Sequence, residues 1–168
     1  MSVDTFCKIN LNVKKTVIYC VNTHESSNSS MGHWILFQLQ RKSVAVFDSY
    51  NLPLELYNSN FAEFLNKCRK MNKRIFITSM ELQAETSLVC GLYVVLAAEV
   101  LVKYGIRKFK KVFLKIFNPK NTRKKNDQIV LTHFYQHKSG YSTPDCVNTF
   151  CRKGDKYCVS ECKRVVGK

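Results

Sequence analysis

The stretch from Ser87 to Tyr104 constrains the fold more than any other part of the chain: Ser-Leu-Val-Cys-Gly-Leu-Tyr-Val-Val-Leu-Ala-Ala-Glu-Val-Leu-Val-Lys-Tyr. Ser87 is a natural N-cap and Gly105 a natural stop, so the run reads as one helix. Apolar residues cover nearly its whole circumference. Such a helix must lie at the centre of the molecule, covered by other elements. Near its start stands Cys90. The first N–H groups of a helix lack intrahelical partners, and the helix dipole favours negative charge there. That setting favours a thiolate, the nucleophilic form of cysteine. Gln83, seven residues earlier, can offer a neutral N–H to a developing oxyanion. The plain alternative is that Cys90 is a small inert hydrophobe in an apolar helix.

The residues before this helix predict a sheet. Thr16 to Asn22 is rich in β-branched and aromatic side chains and reads as a strand. Thr23 to Met31 is a Ser- and Asn-rich loop. His33 to Gln40 and Ser43 to Asp48 are two further strands, separated only by Arg41 and Lys42, and so pair as an antiparallel hairpin. That pairing brings His33, at the start of one strand, beside Asp48, at the end of the other. A carboxylate next to an imidazole orients it and selects its tautomer. His24, in the loop beside Glu25, is the second candidate base.

Apolar residues at 61, 64, 65 and 68 predict a helix from Asn58 to Met71. A short strand follows from Arg74 to Ser79. Beyond the central helix, Arg107 to Phe117 reads as an amphipathic basic helix, 118–126 as a basic loop and Gln128 to His137 as a last helix. From Ser139 onward there is no clear period. The predicted fold class is α+β, a mostly antiparallel or mixed sheet packed against a buried helix with Cys90 at its N-terminus. Residues 1–141 form the predicted single domain and 142–168 a cysteine-rich tail.

Composition bounds the partners. Of 168 residues, 27 are Lys or Arg and 12 are Asp or Glu, a net charge of +15. A balance this basic points to a polyanion, most often nucleic acid. Ten of the cations fall between Val100 and Asn126, where there is no acid. Lys103, Arg107, Lys108, Lys110, Lys111, Lys115, Arg123, Lys124 and Lys125 are the candidate DNA-binding residues, with Lys120 in the same run. The same run also fits a solvated basic face. No apolar stretch reaches the ~20 residues that span a bilayer, and the N-terminus lacks the features of a signal peptide. The expected setting is cytosol, nucleus or a particle assembled there, not secretion. In such a reducing compartment the eight cysteines are expected free, metal-bound or catalytic. Cys146, Cys151, Cys158 and Cys162 could hold zinc, but their spacing lacks the Cys-x2-Cys knuckle of common zinc sites. Reduced thiols and later oxidative pairing are the alternatives.

Gly32-His33-Trp34, then Phe47-Asp48-Ser49, then Gln83-x6-Cys90-Gly91-Leu92-Tyr93 resembles the adenain family, the adenovirus-type maturation cysteine endopeptidases, which share a clan with SUMO-specific proteases. The likeness covers roughly residues 15 to 141. It implies an adenain-like protease fold with His33 as base, Asp48 as orienter, Cys90 as nucleophile and Gln83 as oxyanion donor. It implies viral capsid and core precursors as substrates, cut near small residues, and a monomer acting in the virion and the host nucleus or cytoplasm. No organic cofactor is implied; DNA is the implied activator, together with a viral peptide. The stretch Arg74 to Thr78 has no cysteine where the family tethers that peptide, so pairing would be non-covalent. Asp48 stands where family members can have Glu. The same chemistry also suits a deubiquitinase or deSUMOylase of the clan. A third reading is a basic DNA-binding structural protein with a vestigial site.

Overall fold

The computed structural model describes residues 1–28, 32–78 and 80–137. The described residues form an α+β fold with a four-stranded mixed sheet and five α-helices. A short helix α1 (Val3–Phe6) precedes β1 (Val17–Asn22), β2 (Trp34–Leu39) and β3 (Ser43–Phe47). A 3-10 turn at Leu54–Leu56 leads into α2 (Ser59–Lys70), then β4 (Arg74–Ile77), α3 (Cys90–Tyr104), α4 (Ile106–Ile116) and α5 (Arg123–His137). The strand order is β1-β2-β3-β4, with β4 parallel to β3 and the other neighbours antiparallel. The parallel pair needs a crossover, and α2 supplies it.

β3 is buried at all five positions, because helices cover both faces of the sheet. On one face Ile35, Phe37, Leu39, Val44 and Val46 meet Phe6 of α1 and Phe61 and Phe64 of α2. On the other, Leu36 and Phe47 meet Tyr93, Val94 and Ala97 of α3 and Phe109 and Phe113 of α4. α3 buries Tyr93, Val94, Leu96, Ala97, Val100 and Leu101 in this way, but Val95 and Val102 stay exposed, so the helix is not covered on every side as its apolar circumference predicts. Gly105 joins α3 to α4 at φ +72°, a conformation that glycine adopts without strain.

The hairpin forms as expected, with Leu36 opposite Phe47 and Leu39 opposite Val44. Asn58 caps α2 by accepting the Asn60 N–H at 2.9 Å. Two helix starts differ from the sequence reading. α3 begins at Cys90 itself, with Val89 as an N-cap that makes no side-chain bond. Ser87 lies before the helix, its carbonyl taken by other side chains as set out below. α5 begins at Arg123, five residues before the predicted start. Thr122 starts it, its hydroxyl accepting the Lys125 N–H at 3.2 Å and its carbonyl the Asn126 N–H at 3.1 Å. Arg123, Lys124 and Lys125 are therefore helical and not part of a basic loop. α1 was not predicted at all. The proposed tail, 142–168, with its four cysteines, lies outside the described residues.

Phe37 is fully buried and its ring stands 4.4 Å from Phe6, 5.6 Å from Phe61 and 5.5 Å from Phe64. Phe37→Ala is expected to lower the unfolding free energy by about 3–5 kcal/mol, measured by urea denaturation.

Candidate active site

The site is built where the first hairpin ends meet the start of α3. His33 immediately precedes β2 and Asp48 immediately follows β3. The His33 Nε2 and the Asp48 Oδ1 stand 2.6 Å apart, with side chains 9% and 2% exposed. The hairpin reading of the sequence thus brings these two side chains together. The Thr23 hydroxyl accepts the His33 backbone N–H at 3.0 Å, and the Thr23 N–H donates to the His33 carbonyl at 2.8 Å. Gly32 passes so close to Asn22 and His24 that a Cβ there would collide with the Asn22 side chain. The chain can approach His33 this closely only through glycine.

Asp48 is held by more than its histidine. Its Oδ1 also accepts the Tyr50 N–H at 3.0 Å, and its Oδ2 accepts the Leu52 N–H at 3.0 Å and the Tyr57 hydroxyl at 2.9 Å. Four donors on one buried carboxylate leave it little freedom to turn. Burial alone would raise its pKa, but the His33 bond and charge, with the Tyr50 and Tyr57 bonds, bring it below the ordinary carboxyl value.

His33 lies between two aromatic rings. Tyr50 is 4.6 Å away, centroid to centroid, and Tyr57 is 5.2 Å away at an interplanar angle of 20°. Their electron-rich faces favour a cationic imidazole. Burial depresses the His33 pKa, but the Asp48 bond and the Cys90 thiol outweigh it, and the value is raised to about 9. The Nδ1 nitrogen is buried and has no partner at hydrogen-bonding geometry. Asp48 holds Nε2, so Nδ1 is the ring nitrogen left for the Cys90 thiol, which contributes to the raised value. Catalytic hydrogen bonds are often long before substrate tightens them.

Cys90 is the first residue of α3 and is 9% exposed. Gln83 is fully buried in the segment leading to the helix. The Gln83 Oε1 accepts the Ser49 hydroxyl at 2.7 Å. Its Nε2 donates to the Ser87 carbonyl at 2.6 Å and to the Tyr50 hydroxyl at 3.1 Å. Both amide protons are thus engaged, and donation to an oxyanion requires one of them to turn away. The Tyr50 hydroxyl in turn donates to the Ser87 carbonyl at 2.9 Å. The Gln83 and Leu82 N–H groups both donate to the Ser49 carbonyl, at 3.1 and 2.9 Å. One network therefore joins the residues after β3 to the segment that feeds α3.

The sequence reading gives no role to Tyr50 or Tyr57, and Ser49 enters it only as part of Phe47-Asp48-Ser49. Tyr50 carried a faint signal, two residues after the Asp. Tyr57 carried none, because the irregular path through Leu54–Leu56 brings it back to Asp48.

The candidate DNA-binding residues fall on two helices and the end of a third. Arg107, Lys108, Lys110, Lys111 and Lys115 are exposed on α4, whose Phe109 and Phe113 face the core. Lys103 is exposed near the end of α3, and Lys124 and Lys125 in the first turn of α5. Arg123 is half-buried and pairs with Glu81 at 2.5 Å and Glu85 at 3.1 Å. Among the described residues there is no cluster of three His, Cys, Asp or Glu able to hold a metal. Nor is any described helix long and apolar enough to cross a membrane. No protein-family profile matches the chain, and no curated protein matches it significantly.

Because its folded-state pKa is raised from 6.5 to about 9, His33 contributes stability that is fully present below pH 6.5 and lost as pH rises through about 9. Asp48→Asn removes the main source of that shift. Titration of the His33 ring by NMR is expected to show its pKa falling by more than about one unit in the variant. The matching decline of wild-type stability between those pH values should flatten. An unchanged His33 titration would show that Asp48 does not govern the imidazole.

Proposed function

We propose that this chain is a cysteine endopeptidase of the adenain type. One observation carries the reading. A buried imidazole has one nitrogen bonded to a fully satisfied carboxylate and the other unpartnered, and a helix-start cysteine thiol helps to raise its pKa. The order His, Asp, Gln, Cys along the chain supports the same assignment.

In this mechanism the proton of Cys90 passes to His33 Nδ1, giving a thiolate beside an imidazolium. Asp48, Tyr50 and Tyr57 hold that cation in place. The thiolate attacks the scissile carbonyl carbon, and the carbonyl electrons move onto oxygen. The Cys90 backbone N–H, at the start of α3, and a Gln83 N–H turned from Ser87 or Tyr50 stabilise that oxyanion. The tetrahedral intermediate collapses, the C–N bond breaks and His33 protonates the leaving amine. A water, deprotonated by His33, attacks the thioester; the acid product leaves and the thiolate–imidazolium pair is restored. Viral capsid and core precursors are the proposed substrates.

The exposed cations of α4 support a further part of the proposal, DNA as activator. Arg107, Lys111 and Lys115 recur at helical spacing on its outer side and can follow a phosphate backbone without reading bases. β4 supports a non-covalent peptide activator. Among the described residues it pairs with a strand on one side only, and Phe76 and Ile77 are exposed and line a cavity of about 170 Å³ that reaches Met80 and Phe109. An extended peptide can add to such an edge through main-chain bonds.

Cys90→Ala is expected to abolish cleavage of a capsid precursor, and Gln83→Ala to reduce kcat by about 10²–10³ while leaving measurable turnover. A Cys90→Ala protein that still cleaves overturns the assignment. Duplex DNA should bind with an affinity that falls as salt rises, each phosphate contact adding about 0.9 to the log–log slope. Binding that ignores salt would remove DNA from the account. Cleavage of ubiquitin or SUMO probes in place of the precursor would move the enzyme to the deconjugating branch.

A further inference from the structure

One buried carboxyl takes no part in the mechanism above. Asp127 lies early in α5 and is 8% exposed. Its Oδ2 accepts the Ala84 N–H at 3.2 Å, and its Oδ1 accepts the Tyr93 hydroxyl at 3.0 Å. The adjacent Asn126 donates from Nδ2 to the Leu82 carbonyl at 3.4 Å. One turn earlier, Arg123 bridges Glu81 and Glu85. The residues immediately before and after Gln83 are therefore each tied to the start of α5, and the acids flanking them are paired to the same helix end.

Tyr93 joins this arrangement to the nucleophile's helix. It is fully buried in α3, one turn beyond Cys90, and its hydroxyl lies 3.3 Å from the Leu82 carbonyl as well as on Asp127. We propose that Asp127 is a positioning residue: from α5 it holds the Leu82–Ala84 segment, and with it the Gln83 amide, against the start of α3. Burial pushes the Asp127 carboxyl up to about 6, against the bonds from Tyr93, Ala84 and Ser87. It is thus mainly ionised at neutral pH, and it accepts these bonds as a carboxylate, the stronger form of acceptor.

The need for such a clamp follows from where Gln83 sits. Its segment belongs to neither the sheet nor a helix, and an oxyanion donor displaced by 1 Å loses much of its effect, with losses on the order of 10²-fold documented for misplacements of this size. The clamp stands on the bonds just described; its consequence for catalysis rests on the peptidase reading.

The test uses the full chain with Asp127→Asn, which keeps the side chain's size but offers one acceptor oxygen, and Tyr93→Phe, which deletes the hydroxyl shared by Asp127 and the Leu82 carbonyl. Hydrogen exchange over residues 81–87 is measured alongside kcat and KM. Asp127→Asn is expected to speed exchange there by about tenfold, the loss of one charge-assisted bond, with β2 and β3 amides unchanged. It should lower kcat by about tenfold with KM within about twofold, the pattern of a lost transition-state contact. Unchanged exchange over 81–87 in the folded variants overturns the clamp. Faster exchange with unchanged kcat overturns the positioning of Gln83. If Asp127→Asn does not fold, Tyr93→Phe carries the same readouts. If the wild type cleaves nothing, the peptidase reading falls, and exchange alone decides the clamp.

Discussion

The site depends on a buried carboxylate placed where two antiparallel strands end. Asp48 has four hydrogen-bond donors on its two oxygens, one of them His33 from the neighbouring strand. Removing such a carboxylate from water costs several kcal/mol unless every lone pair is used. The chain therefore bends after β3 so that Tyr50, Leu52 and Tyr57 all turn toward it. That bend brings the Tyr50 and Tyr57 rings onto the His33 imidazole and places Ser49 against Gln83. The orientation of His33, its surroundings and the location of the Gln83 amide all follow from satisfying one charge.

The rest of the fold supplies rigidity around that charge. β3 is covered on both faces, so the strand that delivers Asp48 cannot shift without disturbing two cores. α3 packs Tyr93, Val94 and Ala97 against the sheet and the later helices, which fixes the helix that begins at Cys90. The intervening segment has no ladder of its own. It is held by the Ser49 carbonyl on one side and the start of α5 on the other, so Gln83 lies between two fixed supports.

The legible part of the sequence was local. Two alternating runs with two residues between them announced the hairpin, and with it the meeting of His33 and Asp48. The apolar run after Ser87 announced a central helix with Cys90 near its start. What was not legible depended on competition or on distance. Ser87 has the chemistry of an N-cap, but its carbonyl is recruited by Gln83 and Tyr50, and the helix starts later. Thr122 is an equally good cap, hidden by the cations after it, so α5 was read as a loop at its start. Asp127 meets Ala84 across 43 residues of sequence, and no local pattern announces such a contact. Of the nine candidate cations, Arg123 is engaged with two acids of the Gln83 segment, which its position in a basic run did not indicate.

The central claim is that Cys90 and His33 form a reactive pair, and differential thiol labelling tests it most directly. Burial pushes the Cys7 thiol up to about 11 and raises those of Cys20 and Cys68. With limiting iodoacetamide at pH 6 and peptide mapping, the account predicts that Cys90 is alkylated well ahead of those three. It also predicts that His33→Ala removes the advantage. Labelling of Cys90 no faster than of Cys68, or labelling indifferent to His33, would contradict it.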